Sequence, residues 1–406
     1  MNSILTFISA NLFFIPLLNL ILLNSIPSGN LFLFRTLSFL ALSLLNGFLI
    51  YKLKFSFKKP NLLQGILFLL FLVGLSYLYK RFQFQYYGAS WDIYGMWNVK
   101  SRDYMETFLR GNEFKIIHWD WVQPGYPVFI PLFFSFFQIL FGEWKYEFFL
   151  IYHYGVFAFN FLLIYSILEN QKVSIFKYYL LANLFLLIPI VLTASNQLID
   201  FSVAVFGCLG FYYLHRLDQS LDLRKQWVNY LLLGLSFGLI LHTKEEGLMF
   251  FIVLSGYTIL FSNLRRERFT YFVFLPTAIF FFVLMVLYKK SSPVALQFSL
   301  IPEMLKIYLT DPKRYERVVS LFVSSYQFPI HFADLGAYLG CLLLFNEGRK
   351  YLLIPLGVSI SFVLILLITT YNHPWHIILA QSRLQTDVLQ VLFFIGLSLK
   401  NPEELT

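Results

Sequence analysis

Long apolar runs follow one another along this chain, with short polar breaks between them. They cover about residues 4–24, 31–50, 62–79, 146–168, 178–194, 200–215, 228–242, 248–262, 270–288, 331–345, 351–371 and 387–399. A further run, 128–142, is short. As helices, runs of roughly 18 to 22 residues cross a hydrocarbon core of about 30 Å. No water is present there to satisfy backbone groups, so a helical bundle is the expected solution. The pattern predicts an all-α integral membrane protein with about 12–13 transmembrane or re-entrant helices. It is read as one domain over 1–406, with an additional N-terminal helix pair in 1–61 and large external loops at 80–127 and 289–330.

Basic residues punctuate the breaks. They cluster in 51–60 (Lys52, Lys54, Lys58, Lys59), in 216–227 (Arg216, Arg224, Lys225), in 263–268 (Arg265, Arg266, Arg268) and at Arg349-Lys350. The positive-inside rule places these clusters, and both termini, in the cytoplasm. One conflict follows from counting crossings. Residues 80–127 come out on the far side while 169–177 must lie inside, which requires an odd number of crossings, yet 128–142 and 146–168 make two. The simplest resolution makes 128–142, with Pro127 and Pro131 at its start, re-entrant or interfacial.

Composition agrees with the pattern: 58% hydrophobic, 20% aromatic and 13% charged residues are far from a soluble domain. The net charge of +9 sits mostly in short loops, so it reads as topology rather than as nucleic-acid affinity. Cys208 and Cys341 both fall in apolar runs and give no sign of a disulfide or a metal site. The first run has no basic leader and no small-residue cleavage site, so a retained helix is expected.

Five polar islands fall on the non-cytoplasmic side of this topology. In the first, Trp91-Asp92 is followed by Tyr94, Trp97, Lys100 and Tyr104, spaced along one face of an amphipathic helix. An interfacial aromatic belt accounts for Trp91, Trp97 and Tyr104, but a carboxylate at the end of a span needs a partner or a task. The second, His118-Trp119-Asp120, leads into Tyr126-Pro127; ordinary loop hydrogen bonding is the simpler account of His118 and Asp120, and a divalent metal ion the alternative. Asp200 opens the third, where it also fits a helix N-cap. The fourth, Thr243-Lys244-Glu245-Glu246-Gly247, sets three charges in a tight turn on the side where lysine is disfavoured, which suggests an anionic ligand. In the fifth, a helix beginning at Pro374 would set His376 and Arg383 two turns apart on one face, with Trp375 beside them. Arg383 could snorkel to headgroups or clamp a lipid-linked phosphate.

In this order the islands resemble those of the polytopic C-type (GT-C) glycosyltransferases, which take sugars from polyprenyl-phosphate carriers. The resemblance rests on Trp91-Asp92 with Trp97 and Lys100, Tyr126-Pro127 with Pro131, Asp200, the Thr243–Gly247 turn, and Trp375-His376 with Arg383, and it spans roughly 62–399. The chain departs from that family's pattern at Glu245, where Asn is usual, and at Gly125, where an acid usually precedes Tyr-Pro. Asp120 stands five residues upstream as a substitute.

The resemblance implies a multi-pass protein of the bacterial inner membrane with its site facing the periplasm. It would transfer a sugar, with inversion, from a polyprenyl-phosphate donor to an acceptor hydroxyl on a glycan, lipid or protein. Asp92 is then the candidate base, with Asp120 as a second acid. Lys244 and Arg383 are candidates for the phosphate, with His376 and Lys100 behind them. Trp91, Trp97 and Trp375 could stack on sugars or line a lipid groove, and His118, Tyr126, Asp200 and Glu246 complete the candidate substrate contacts. A flippase or transporter of lipid-linked saccharides is the rival class, and a polysaccharide polymerase or ligase a second one. The position of the charges at span ends favours surface chemistry over a transport path.

Overall fold

A computed structural model describes residues 2–53, 97–112, 128–145, 147–168, 175–194, 198–220, 226–244, 246–287, 312–324, 330–344, 349–368 and 374–399, with isolated positions between 65 and 76. Over 185–200 and 374–385 the description is of the backbone. Among the described residues all regular structure is helical. In chain order the helices are α1 (Asn2–Ser25), α2 (Leu31–Lys52), α3 (Val99–Leu109), α4 (Phe129–Phe141), α5 (Glu147–Leu168), α6 (Ile175–Ala194) and α7 (Leu198–Asp218). They continue as α8 (Trp227–Thr243), α9 (Gly247–Leu260), α10 (Leu275–Leu287), α11 (Pro312–Ser324), α12 (Ile330–Leu344), α13 (Leu353–Ile368) and α14 (Pro374–Ser398).

Most predicted runs therefore became helices with nearly the expected ends. The run 62–79 lies outside the described residues. Two elements differ from the sequence-based expectation. The helix expected to begin at Pro374 and the run 387–399 form one continuous element, because proline is well suited to a first helical position and nothing after it interrupts the turn. Within the predicted 289–330 loop lies α11, also opened by a proline, with Lys313, Glu316 and Arg317 exposed and Val318 buried.

The centre of the bundle is α7, α8 and α14. From Phe201 to Leu217 every residue of α7 is buried except Arg216, and α14 is buried on all sides from Thr386 onward. The periphery is the reverse: α2 exposes Phe32, Phe39, Leu40, Leu44, Phe48 and Tyr51 along one side. Among the described residues, two helices, Ser3–Ser25 and Leu31–Lys52, are long and apolar enough to cross a membrane. Several polar side chains link one helix to another. Asn19 of α1 donates to the Leu132 carbonyl (2.7 Å) and to Ser135 Oγ (2.9 Å) of α4. Asn11 donates to Asn46 Oδ1 of α2 (2.8 Å), and Gln390 of α14 to Asn160 Oδ1 of α5 (3.2 Å). In an apolar surrounding such bonds fix which helices pair.

Helix directions follow from these contacts. Gly207 packs on Val391, Cys208 Sγ meets the Gln390 carbonyl at 3.9 Å, and the Phe211 ring meets Phe394, so α7 and α14 run parallel. Gly210 touches Ser236 and Ile240, and the short connection between α7 and α8 makes that pair antiparallel. The starts of α7 and α14 and the end of α8 therefore share one end of the bundle.

Candidate functional site

At that shared end the Thr243–Gly247 turn joins α8 to α9. Lys244 closes α8 in an extended conformation, and its carbonyl accepts the Gly247 amide at 3.0 Å. The turn is held against its own helix. A Cβ on Gly247 would collide with the Ile240 carbonyl oxygen and stand 2.8 Å from the carbonyl carbon, so only glycine fits this approach. The consequence is that Lys244 is folded in, only 3% exposed. Its ammonium pairs with Glu246 Oε1 at 3.1 Å, and the other Glu246 oxygen is shielded without a hydrogen-bond partner among the described residues. The pair is enclosed, so its two charges act on each other with little screening by water.

Just before the turn, His242 is buried between aromatic rings. Phe129, the first residue of α4, stacks on it with centroids 6.3 Å apart and planes at 22°, and Phe280 of α10 lies 4.2 Å away. This joins the helix that follows Tyr126-Pro127 to the lysine turn. The far end of α4 stays at the same end of the bundle. Gly142, whose φ of +79° ends the helix in the left-handed conformation, packs on Leu31 and Arg35 at the start of α2, and Arg35 Nε caps the Leu140 carbonyl at 2.8 Å. α1 leads to this place in the same direction as α8, since Thr6 neighbours Tyr213 low on α7 and Phe13 packs on Gly238 of α8. At 13 residues, about 20 Å, α4 is short for a span and is enclosed by protein on nearly all sides.

Resting on α4 is α3. Its inner face buries Trp97, Lys100, Tyr104, Met105 and Phe108, which is the predicted amphipathic spacing. Its outer face carries Arg102 and Arg110, both paired to Glu106 at 2.6 and 2.7 Å. Trp97 and Tyr104 are thus packed inside protein instead of forming an outward belt. The end of α3 touches the α1–α2 connection, where Gly111 meets Gly29. Lys100 therefore belongs to the same end of the molecule as Lys244.

Two further islands reach it through helix direction. Asp200 lies in the first turn of α7. Carrying the Cys208–Gln390 pairing back about two turns along both parallel helices sets the backbone of Arg383 level with Phe201, one residue from Asp200. Trp375 and His376 lie in the first turn of α14, farther toward that end. The candidate residues Trp91, Asp92, His118, Asp120 and Tyr126 lie outside the described residues, as does Glu245. Among the described residues, no group of three or more His, Cys, Asp or Glu side chains could hold a metal ion.

Sequence reasoning missed four buried polar residues. Asp218, at the opposite end of the bundle, accepts from Ser262 Oγ and the Asn263 amide through Oδ1, and from the Tyr351 hydroxyl (3.0 Å) through Oδ2, with Lys350 at 3.5 Å. It ties together three of the predicted cytoplasmic breaks. Asp387 is buried one turn after Arg383 and one before Gln390, and Lys177 is fully buried on α6. Their positions at the edges of apolar runs were the available signal. The fourth is Asn98, buried directly before α3.

Compared with family models, curated proteins and solved structures, the chain matches none of them.

Proposed function

We propose that this chain is a polytopic membrane glycosyltransferase that moves a sugar from a polyprenyl-phosphate donor to an acceptor hydroxyl at the outer face of the membrane. What supports the reading is that helix directions put Lys100, Lys244 and the backbones of Asp200 and Arg383 toward one end of a helical bundle, opposite the end where Asp218 gathers Lys350 and the breaks at 262–263. The apolar exposure of α2 and the enclosure of polar side chains between helices support a lipid surrounding.

In this reading the acceptor oxygen attacks the anomeric carbon while Asp92 takes its proton. The bond from that carbon to the phosphate oxygen breaks, and polyprenyl phosphate leaves with inversion at the sugar. Lys244 and Arg383 balance the charge growing on the phosphate, which is the electrostatic part of the catalysis. Glu246 holds Lys244 between turnovers and yields part of its pairing when the phosphate arrives.

The test is purified protein in detergent, supplied with polyprenyl-phosphate-linked hexoses and pentoses and with candidate acceptors. Release of free polyprenyl phosphate, lost in Asp92→Asn and Lys244→Ala, is the expected result. Full activity in Asp92→Asn overturns the catalytic assignment. Movement of the carrier across vesicles with no bond broken replaces the reading with transport.

A further inference from the structure

Asn98 stands at the N-cap position of α3, where an asparagine side chain ordinarily accepts a hydrogen bond from the helix's first free amides. Here it does not. Its backbone is already helical (φ −69°, ψ −45°), and the side chain makes no capping bond. Ser101 Oγ bonds the Asn98 carbonyl at 2.9 Å, so that part of the residue is satisfied. The carboxamide is not. Asn98 is 4% exposed, and both Nδ2 and Oδ1 are shielded without a hydrogen-bond partner among the described residues.

A carboxamide offers two donor hydrogens and an acceptor oxygen. Holding all of them away from water with nothing to bond destabilises the fold, and an apolar residue of similar size would avoid the loss. Asparagine at this place is explained if the amide meets a polar group of a ligand. The residue lies between Trp97 and Lys100, at the end of the bundle that also carries Lys244. The chemistry of the group narrows the ligand. Phosphate oxygens at neutral pH mostly accept, which would leave Oδ1 unanswered. Two neighbouring hydroxyls can accept from Nδ2 and donate to Oδ1 together.

We propose that Asn98 is a substrate-binding residue whose carboxamide reads a pair of sugar hydroxyls on the carrier-linked donor. This rests on the carrier-sugar reading above, and the experiment separates the two. Thermal unfolding of the full chain in detergent is measured alone, with undecaprenyl phosphate, and with undecaprenyl-phosphate-linked glucose, mannose, galactose and arabinose, for wild type, Asn98→Leu and Asn98→Ala. Without ligand, Asn98→Leu is expected to unfold about 2–4 °C higher than wild type. Its response to undecaprenyl phosphate stays as in wild type, while its affinity for the sugar-linked carrier that stabilises wild type best falls about tenfold or more. If both variants unfold at lower temperature than wild type, the amide is structural and the proposal falls. It also falls if Asn98→Leu binds the sugar carriers as wild type does, or if no sugar adds to the effect of bare undecaprenyl phosphate. Failure of every carrier, bare or sugar-linked, to stabilise wild type overturns this inference and the carrier reading together.

Discussion

The Gly247 backbone lies directly against the Ile240 carbonyl, so closely that a single methyl group has no room between them. That contact folds the polar turn back onto α8 and sets the burial of Lys244. The charged turn is therefore as much a packing feature as a solvated loop.

Gly247→Ala should destabilise the protein by about 1–3 kcal/mol, the usual range for overpacking a filled site. Gly256, on the next helix, has nothing within 4 Å of where its Cβ would stand. Gly256→Ala should be neutral or stabilising by up to ~1 kcal/mol. Thermal unfolding of both variants in the same detergent checks the contrast, and equal effects would contradict the close approach.

The Lys244–Glu246 pair predicts a pronounced non-additivity. Lys244→Met alone leaves the largely enclosed Glu246 carboxylate without its lysine, at a cost of ~2–4 kcal/mol, and Glu246→Leu alone should also destabilise. The double variant should recover much of this, with a coupling of at least ~1 kcal/mol in a double-mutant cycle. Additive losses would mean that the two side chains do not depend on each other. Transferase activity should be lost in the double variant even where stability returns.

At the opposite end, Asp218→Ala removes the acceptor for Ser262, for the Asn263 amide and for Tyr351. At about 1 kcal/mol per hydrogen bond, a loss of roughly 3 kcal/mol is expected. Lys350 is 40% exposed and 3.5 Å from the carboxylate, so Lys350→Ala should cost less than ~1 kcal/mol. A denaturation series that ranks the lysine above the aspartate would refute this account of the clasp.

Asn19→Ala should loosen α4 from α1 by ~1–2 kcal/mol, since Asn19 is the group that reaches the Leu132 carbonyl and Ser135. Hydrogen exchange over 129–141 should rise in this variant before exchange rises in α7. Unchanged exchange in α4 would show that the aromatic packing around Phe129 and Phe134 alone holds it.

Helix positions were readable from the apolar runs because a buried or lipid-facing helix leaves a continuous record of itself. The short α4 was readable too, because the apolar run 128–142 is itself short. α11 was not, because Lys313, Arg317 and their neighbours look like a solvated loop until Val318 finds its place in the bundle. That Lys100, Lys244 and the starts of α7 and α14 lie toward one end could be anticipated only as topology. That Arg383 stands level with the start of α7 depends on the Cys208–Gln390 pairing, which no local pattern encodes. Nothing in the pattern singled out Asn98; only the shielding of both amide atoms sets it apart.

Cys208 and Gln390 touch across 182 positions of sequence, in helices that are buried on almost every side. During synthesis α7 leaves the ribosome long before its parallel partner exists, so its apolar and polar interior must wait uncovered. Closure of the bundle, and with it the alignment of Asp200 with Arg383, is then a late event of assembly. Shortened chains that stop before α14 should remain exposed to membrane proteases and quality control, however well their earlier helices have inserted.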